Sequence, residues 1–207
     1  SGGSAHTWTV AGNANTDTAQ TKFGPTSLAC DGSGDWVTTA DHADFALGSS
    51  DFTIDFWYRP ANDGAEHNIC GQCDSAATAS TASFYINRDA ATNFLRARVS
   101  NGSFTLLSGA TTTIVTGAFY HIELSRSGNT LNLFVNGSLE VTGAFTGTVP
   151  NSASALRVGA AGEVTGNPVN GWIDEFRLSV GVARWTSAFI SNGGPYDTEA
   201  SAICRGY

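Results

Sequence analysis

The chain reads as an all-β protein, and three observations predict this. Short runs of alternating apolar and polar residues follow one another along its length. Clusters of Gly, Asn, Asp and Ser separate those runs at turn-like intervals. A helical period of 3.6 is almost absent. With 207 residues and 41% hydrophobic content, the chain is long and apolar enough for one β-sandwich with a large core, and it is taken as a single domain over residues 1–207.

The elements follow in order. Residues 27–31 and 35–38 flank Gly32-Ser33-Gly34 and are expected to form an early hairpin. Residues 52–59 alternate, with Phe52, Ile54, Phe56 and Tyr58 on one face. In 83–88, Phe84 and Ile86 point inward. Leu95, Ala97 and Val99 point the same way, with Arg96 and Arg98 opposite. The stretch 119–142 is the clearest. Tyr120, Ile122 and Leu124 alternate up to a turn at Ser127-Gly128-Asn129. Leu131, Leu133 and Val135 then lead to Asn136-Gly137, which returns the chain through Leu139 and Val141. Asn-Gly between alternating runs predicts a two-residue type I′ hairpin, since both turn residues need positive φ. Ile173, Phe176 and Leu178 read as a late buried strand.

Composition excludes several functions. Lys22 is the only lysine, beside nine arginines and eighteen acids, and the net charge is −8. Nucleic acid and anionic membranes both require a cationic footprint, so neither is expected as a partner. No apolar run reaches the roughly 20 residues of a membrane helix, and no basic-then-apolar signal segment opens the chain. An acidic, Gly/Ser/Thr/Asn-rich composition fits an extracellular or virion-surface protein. Cys30, Cys70, Cys73 and Cys204 allow two bridges in three pairings. Cys70-Gly71-Gln72-Cys73 has redox-motif spacing without the helix that motif needs. His67, Cys70 and Cys73, with Cys204 or Cys30, could ligate zinc. A local disulfide, or two thiols on a strand and its turn, is the simpler reading.

Five stretches in sequence order carry a family resemblance. They are Lys22-Phe-Gly-Pro-Thr-Ser-Leu28 with Asp31-Gly-Ser-Gly-Asp-Trp36, Asp51-Phe-Thr-Ile-Asp-Phe-Trp-Tyr-Arg-Pro60, the meander from Glu123 through Asn136-Gly137, Ala155-Leu-Arg-Val-Gly159, and Gly171-Trp-Ile-Asp-Glu-Phe-Arg-Leu-Ser-Val-Gly-Val-Ala-Arg-Trp-Thr-Ser-Ala-Phe189. Together they resemble a laminin-G-like domain of the concanavalin A-like lectin/glucanase superfamily. The pattern is closest to such domains in phage tail, virion and bacterial surface proteins. The match covers about residues 20–190, leaving 191–207 as a tail. The resemblance implies a two-sheet antiparallel jelly-roll β-sandwich. It also implies a structural Ca²⁺ held by Asp174, with backbone carbonyls near Asn13 to Asp17 completing an oxygen shell. The alternative is that Asp174 accepts backbone N–H bonds or pairs with Arg177 or Arg184.

Catalysis is not expected. The glycosidases of that superfamily carry Glu-x-Asp-x-x-Glu on a strand, and none of the six glutamates here begins that pattern. The four histidines lie apart, and no nucleophile elbow is present. Recognition is the better reading. The residues opposite the inward series include Asp55, Trp57, Arg59, Tyr85, Asn87, Arg96, Arg98 and Glu123, a mixture of aromatic faces and planar polar groups suited to a sugar. Loops 62–67, 74–80 and 162–170 are a second candidate. The expected function is therefore non-catalytic recognition of a glycan or cell-surface receptor, as an adhesin or a virion tail or decoration module. A structural or assembly module, as a homo-oligomer or with a virion partner, is the first alternative. A polysaccharide-cleaving enzyme with displaced carboxylates is the second.

Overall fold

The computed structural model describes residues 6–162, 166–191 and 194–196. Among the described residues, fourteen strands form two seven-stranded sheets, and every pairing between these strands is antiparallel. The strands are β1 (Thr9–Ala11), β2 (Asn15–Asp17), β3 (Ser27–Asp31), β4 (Trp36–Thr39), β5 (Phe52–Pro60), β6 (His67–Gln72), β7 (Phe84–Arg88), β8 (Leu95–Ser100), β9 (Phe104–Ser108), β10 (Tyr120–Ser127), β11 (Thr130–Val135), β12 (Ser138–Ala144), β13 (Leu156–Val158) and β14 (Asn170–Val180). One sheet runs β1-β4-β13-β6-β7-β8-β9 and the other β12-β11-β10-β5-β14-β3-β2. The helical element among the described residues is a 3₁₀ turn, η1 (Ala43–Phe45). The predicted all-β sandwich is therefore what the chain adopts.

The inward series meet between the sheets. Phe52, Ile54, Phe56 and Tyr58 of β5 are fully buried, as are Phe84, Ile86, Ala97, Ile122, Leu124, Leu131 and Leu133. The Asn136-Gly137 hairpin forms as expected. Val135 pairs with Ser138, and the two turn residues have φ of 52° and 79°.

In β14 the inward residues Ile173, Phe176 and Leu178 break strict alternation. A β-bulge explains this. Asp174 pairs with Trp57 and Arg177 with Asp55, so three steps on β14 match two on β5. Glu175, with φ of 52°, is the extra residue.

The early hairpin does not form. β3 lies in one sheet and β4 in the other, so the turn at 32–34 carries the chain across the sandwich. Asp35 holds the crossing by accepting N–H bonds from Asp31 (3.0 Å) and Asn13 (2.8 Å). A glycine-rich turn between two strand-like runs has the same sequence signature in either case.

Cys30 and Cys70 are buried free thiols, so the Cys70–Cys73 bridge is not made. Burial raises the Cys70 pKa well above the thiol norm, and His67 Nδ1 is engaged by the Tyr58 hydroxyl. Cys204 lies outside the described residues.

Candidate functional site

The eight residues read as one outward face belong to two. Asp55, Trp57, Arg59 and Glu123 lie on the β5–β10 sheet, whereas Tyr85, Asn87, Arg96 and Arg98 lie on the β7–β8 sheet, on the other side of the sandwich. Asp55 therefore cannot form a cross-strand pair with Arg96 or Arg98. Alternation says whether a side chain points in or out, but not from which sheet.

The outer face of the β5–β10 sheet is covered. Residues 181–191 and 194–196 return across it. Val182 O accepts from the Thr53 hydroxyl (2.9 Å), Trp185 O accepts from the Ser125 hydroxyl (2.9 Å), and Phe189 N donates to Gly137 O (2.9 Å). Trp185 stacks on Phe189 with ring centroids 4.3 Å apart. Trp57 is only 4% exposed, sandwiched between His121 (4.9 Å), Phe23 (5.5 Å) and the Lys22 ammonium (4.1 Å). Trp57 is thus packing, not a sugar platform.

Asp55 and Glu123 are both fully buried beneath this strap. Arg177 grips Asp55 with two hydrogen bonds of 2.9 and 2.6 Å. Burial alone would raise the Asp55 pKa, but hydrogen bonds from His121 and Arg177 outweigh it and hold the carboxyl below its ordinary value. Burial and the neighbouring Asp55 charge push Glu123 up to about 9. Arg59 sits on the same sheet near the rings of Phe119 and Trp172, at 6.0 and 5.9 Å. None of these four side chains is arranged to meet a ligand with the other four.

Asp174 also has a structural environment. Its Oδ2 accepts N–H bonds from Lys22 (2.9 Å) and Phe23 (3.0 Å). Burial raises its pKa despite those bonds. Thr16 of β2 lies with Asp174, whereas Asn13, Asn15 and Asp17 line a separate hollow with Asp31 and Asp35. The carboxylates there are engaged as well: Asp17, for example, accepts from Ala19 N and Trp172 Nε1, both at 2.7 Å. Ca²⁺ needs six to eight converging oxygens. A carboxylate turned toward two amide donors, apart from the oxygens that were to join it, does not fit that ion.

The outer face of the β7–β8 sheet is open over a recess of about 230 Å³. It brings two residues of the expected face together with all three expected loops, while Asn87 lies buried beneath and Arg96 outside the lining. Tyr85 and Arg98 supply the sheet floor, Glu66 the first loop, Ala77 the second, and Gly166 and Asn167 the third.

The polar groups form a continuous chain. Arg98 Nη1 donates to Asn87 Oδ1 (3.0 Å), Asn87 Nδ2 donates to Glu66 Oε1 (2.9 Å), and Asn167 Nδ2 donates to Glu66 Oε2 (3.1 Å). Asn68 Nδ2 holds Gly166 O at 2.6 Å. Below, the fully buried Arg88 donates to Ala65 O (2.8 Å) and so fixes the backbone beside Glu66. Tyr85 lies 4.9 Å from the Arg98 guanidinium and edge-on to Phe104. Partial burial raises the Tyr85 pKa, so its hydroxyl stays a neutral donor and acceptor. Arg96, which is not in the lining, pairs with Asp89.

Asn68 and Gly71 escaped sequence reasoning. Gly71 pairs with Tyr85 in the ladder, and a Cβ there would come within 2.7 Å of Tyr85 Cβ. A glycine inside a strand run is the one signal that could have found this contact.

The described lining offers hydrogen-bonding groups and no hydrolytic pair. Among the described residues, Glu66 is its one lining acid. Glycoside cleavage needs two carboxyls separated by about 5–9 Å across the bond.

The fold is shared with solved structures at low identity. The binding domain of Paraclostridial Mosquitocidal Protein 1 matches with a TM-score of 0.64 and 15% identity over 90% of this chain and 45% of that one. Domain 4 of AbnA, a GH43 extracellular arabinanase from Geobacillus stearothermophilus, solved with arabinotriose, matches at 0.61 and 15% over 83% and 81%. A putative carbohydrate binding protein from Bacteroides ovatus matches at 0.60 and 16% over 96% and 50%. The chain thus spans about half the length of the first and third of these. No curated protein sequence matches it. A family model for laminin-G-like domains matches residues 31–187. The chain belongs, on that match, to the Concanavalin A-like lectin/glucanases superfamily.

Proposed function

We propose that the chain is a non-catalytic carbohydrate-recognition module whose ligand lies in the recess over β6, β7 and β8. The observation that carries this reading is the Arg98–Asn87–Glu66–Asn167 chain beside the Tyr85 ring. Each planar group is oriented by its neighbour, so its remaining donors and lone pairs are fixed before a ligand arrives. Pre-orientation lowers the entropy cost of binding a flexible sugar. Vicinal hydroxyls both donate and accept, which matches a row that alternates guanidinium, amide and carboxylate. The ring of Tyr85 offers a face for sugar C–H groups.

The Glu66 carboxylate and the net charge of −8 favour a neutral oligosaccharide over an acidic one. Similarity to a domain solved with arabinotriose and to toxin binding domains supports recognition as the role. An extracellular or virion-surface adhesion module is the setting we infer, consistent with the composition.

A glycan array followed by calorimetry on its best neutral hit tests the proposal. Tyr85→Ala and Arg98→Ala should each weaken binding by about 1–2 kcal/mol, roughly five- to thirty-fold. Unchanged affinity in both folded variants would remove the site from this recess.

A further inference from the structure

We propose that His6, His42 and Asp44 form a binding site for a divalent transition metal, of which zinc is the best fit. The three side chains come from two places far apart in sequence. His6 precedes the edge strand β1, while His42 and Asp44 open the η1 turn between β4 and β5. Their ligand atoms all lie within 4.8 Å of one another. His6 Nε2 is 3.3 Å from Asp44 Oδ2, and His42 Nδ1 is 3.4 Å from the same oxygen.

These distances are long for charge-assisted hydrogen bonds, which fall at about 2.7–2.9 Å. The two distances to Asp44 match edges of a tetrahedron, and the third edge, between the two imidazoles and within 4.8 Å, closes on binding by a turn of the exposed His42 ring. Ligands about 2.0–2.1 Å from a central zinc stand roughly 3.3–3.4 Å from each other.

The donor types agree with the geometry. Two imidazoles and one carboxylate suit zinc and its neighbours, whereas calcium and magnesium take oxygen shells. The His6 ring is held in place from below. It packs on the fully buried Phe45 at 4.7 Å and edge-on to His42 at 4.8 Å, and its side chain is only 10% exposed. His42 and Asp44 are 46% and 40% exposed, so the fourth position opens to water.

His42 Nδ1 accepts the Asp44 N–H at 3.1 Å, capping η1. On metal binding that lone pair turns to the ion, and the amide, at the exposed start of η1, turns to solvent. The site would tie the segment ahead of β1 to the β4–β5 connection, closing a span of more than thirty residues by coordination.

Calorimetry with zinc chloride on the full chain is the direct test, with thermal melts in parallel. The expected result is one zinc per chain and a melting temperature that rises with zinc but not with calcium, because binding to the folded state alone stabilises it. His6→Gln and Asp44→Asn should each weaken zinc binding by about tenfold or more, since three ligands are the minimum for such a site. Asp44 is exposed, so that variant keeps its fold even if loss of the His6 ring disturbs Phe45. Amide exchange across β1 should slow on zinc addition in the wild type only. Cobalt substitution should give a tetrahedral nitrogen/oxygen spectrum. A thiolate charge-transfer band, or zinc binding undiminished in both variants, would overturn the proposal by placing the metal on cysteine or elsewhere. Absence of zinc binding by the wild-type chain would overturn it outright.

Discussion

Replacing Glu123 with glutamine should stabilise the protein, and more so as pH rises. Glu123 on β10 pairs with Asp55 on β5, beneath the strap of residues 181–191 and 194–196, and both are fully buried. Burial, with the Asp55 charge beside it, moves the Glu123 pKa from 4.5 to about 9. Between those values the folded chain holds a proton that the unfolded chain has released. Stability therefore falls as pH rises through that window. From the unfolded value to pH 7 is about 2.5 units, and at 1.36 kcal/mol each this sets a ceiling of about 3 kcal/mol. Relaxation and water entry reduce such figures, so the expected gain for Glu123→Gln at pH 7–8 is about 1–3 kcal/mol. For a chain of this size that is a melting increase of roughly 2–10 °C. Urea unfolding of both proteins at pH 5, 7 and 8.5 measures it. The difference should be small at pH 5 and widen upward. Parallel stability curves, or a variant that is weaker at high pH, would refute the buried, protonated carboxyl.

Three further outcomes follow from the same geometry. His67, whose pKa is lowered to about 4 by burial and then by Arg88, stays neutral in the fold, so stability should also fall as pH drops from 6.5 toward 4. Set against Glu123, this places the stability maximum on a plateau between about pH 4.5 and 6.5, readable from melting temperature against pH. Trp57→Ala should cost about 3–5 kcal/mol of stability while leaving glycan affinity unchanged in folded protein, because the ring is packing beneath the strap; a loss of affinity at constant stability would contradict that. Gly71→Ala should displace Tyr85 and weaken ligand binding with the fold retained, since the added Cβ meets Tyr85 Cβ at 2.7 Å; calorimetry and a circular dichroism spectrum check the two halves.

Much of the sandwich was legible because alternation is a local code. Phe52, Ile54, Phe56 and Tyr58 could face only one way together, and the Asn136-Gly137 pair dictated its own turn. What was not legible is non-local. Trp57 and Tyr85 are both outward by alternation, yet one lies under a strap more than a hundred residues later and the other in an open recess. Nothing in residues 27–38 distinguishes a hairpin from a crossing, because both need a glycine turn. Glu66 and Asn167 stood in stretches read as loops, but their meeting depends on three connections converging at one end of the β6–β8 face. His6 and Asp44 present the same difficulty on a smaller scale.

The bulge at Glu175 has a mechanical side. An extra residue in a ladder is normally a discontinuity that the sheet must tolerate. Here it frees one carboxylate from the in-and-out rhythm of β14, and that carboxylate accepts the Tyr196 amide at 3.0 Å. Tyr196 in turn lies over the Arg177 guanidinium at 3.8 Å and reaches His121 Nε2 at 2.8 Å. The irregular residue thus acts as a latch for a segment that belongs to neither sheet. Removing residue 175 would make the strand more regular and keep every inward side chain inward, yet it would unfasten the cover from the face it seals.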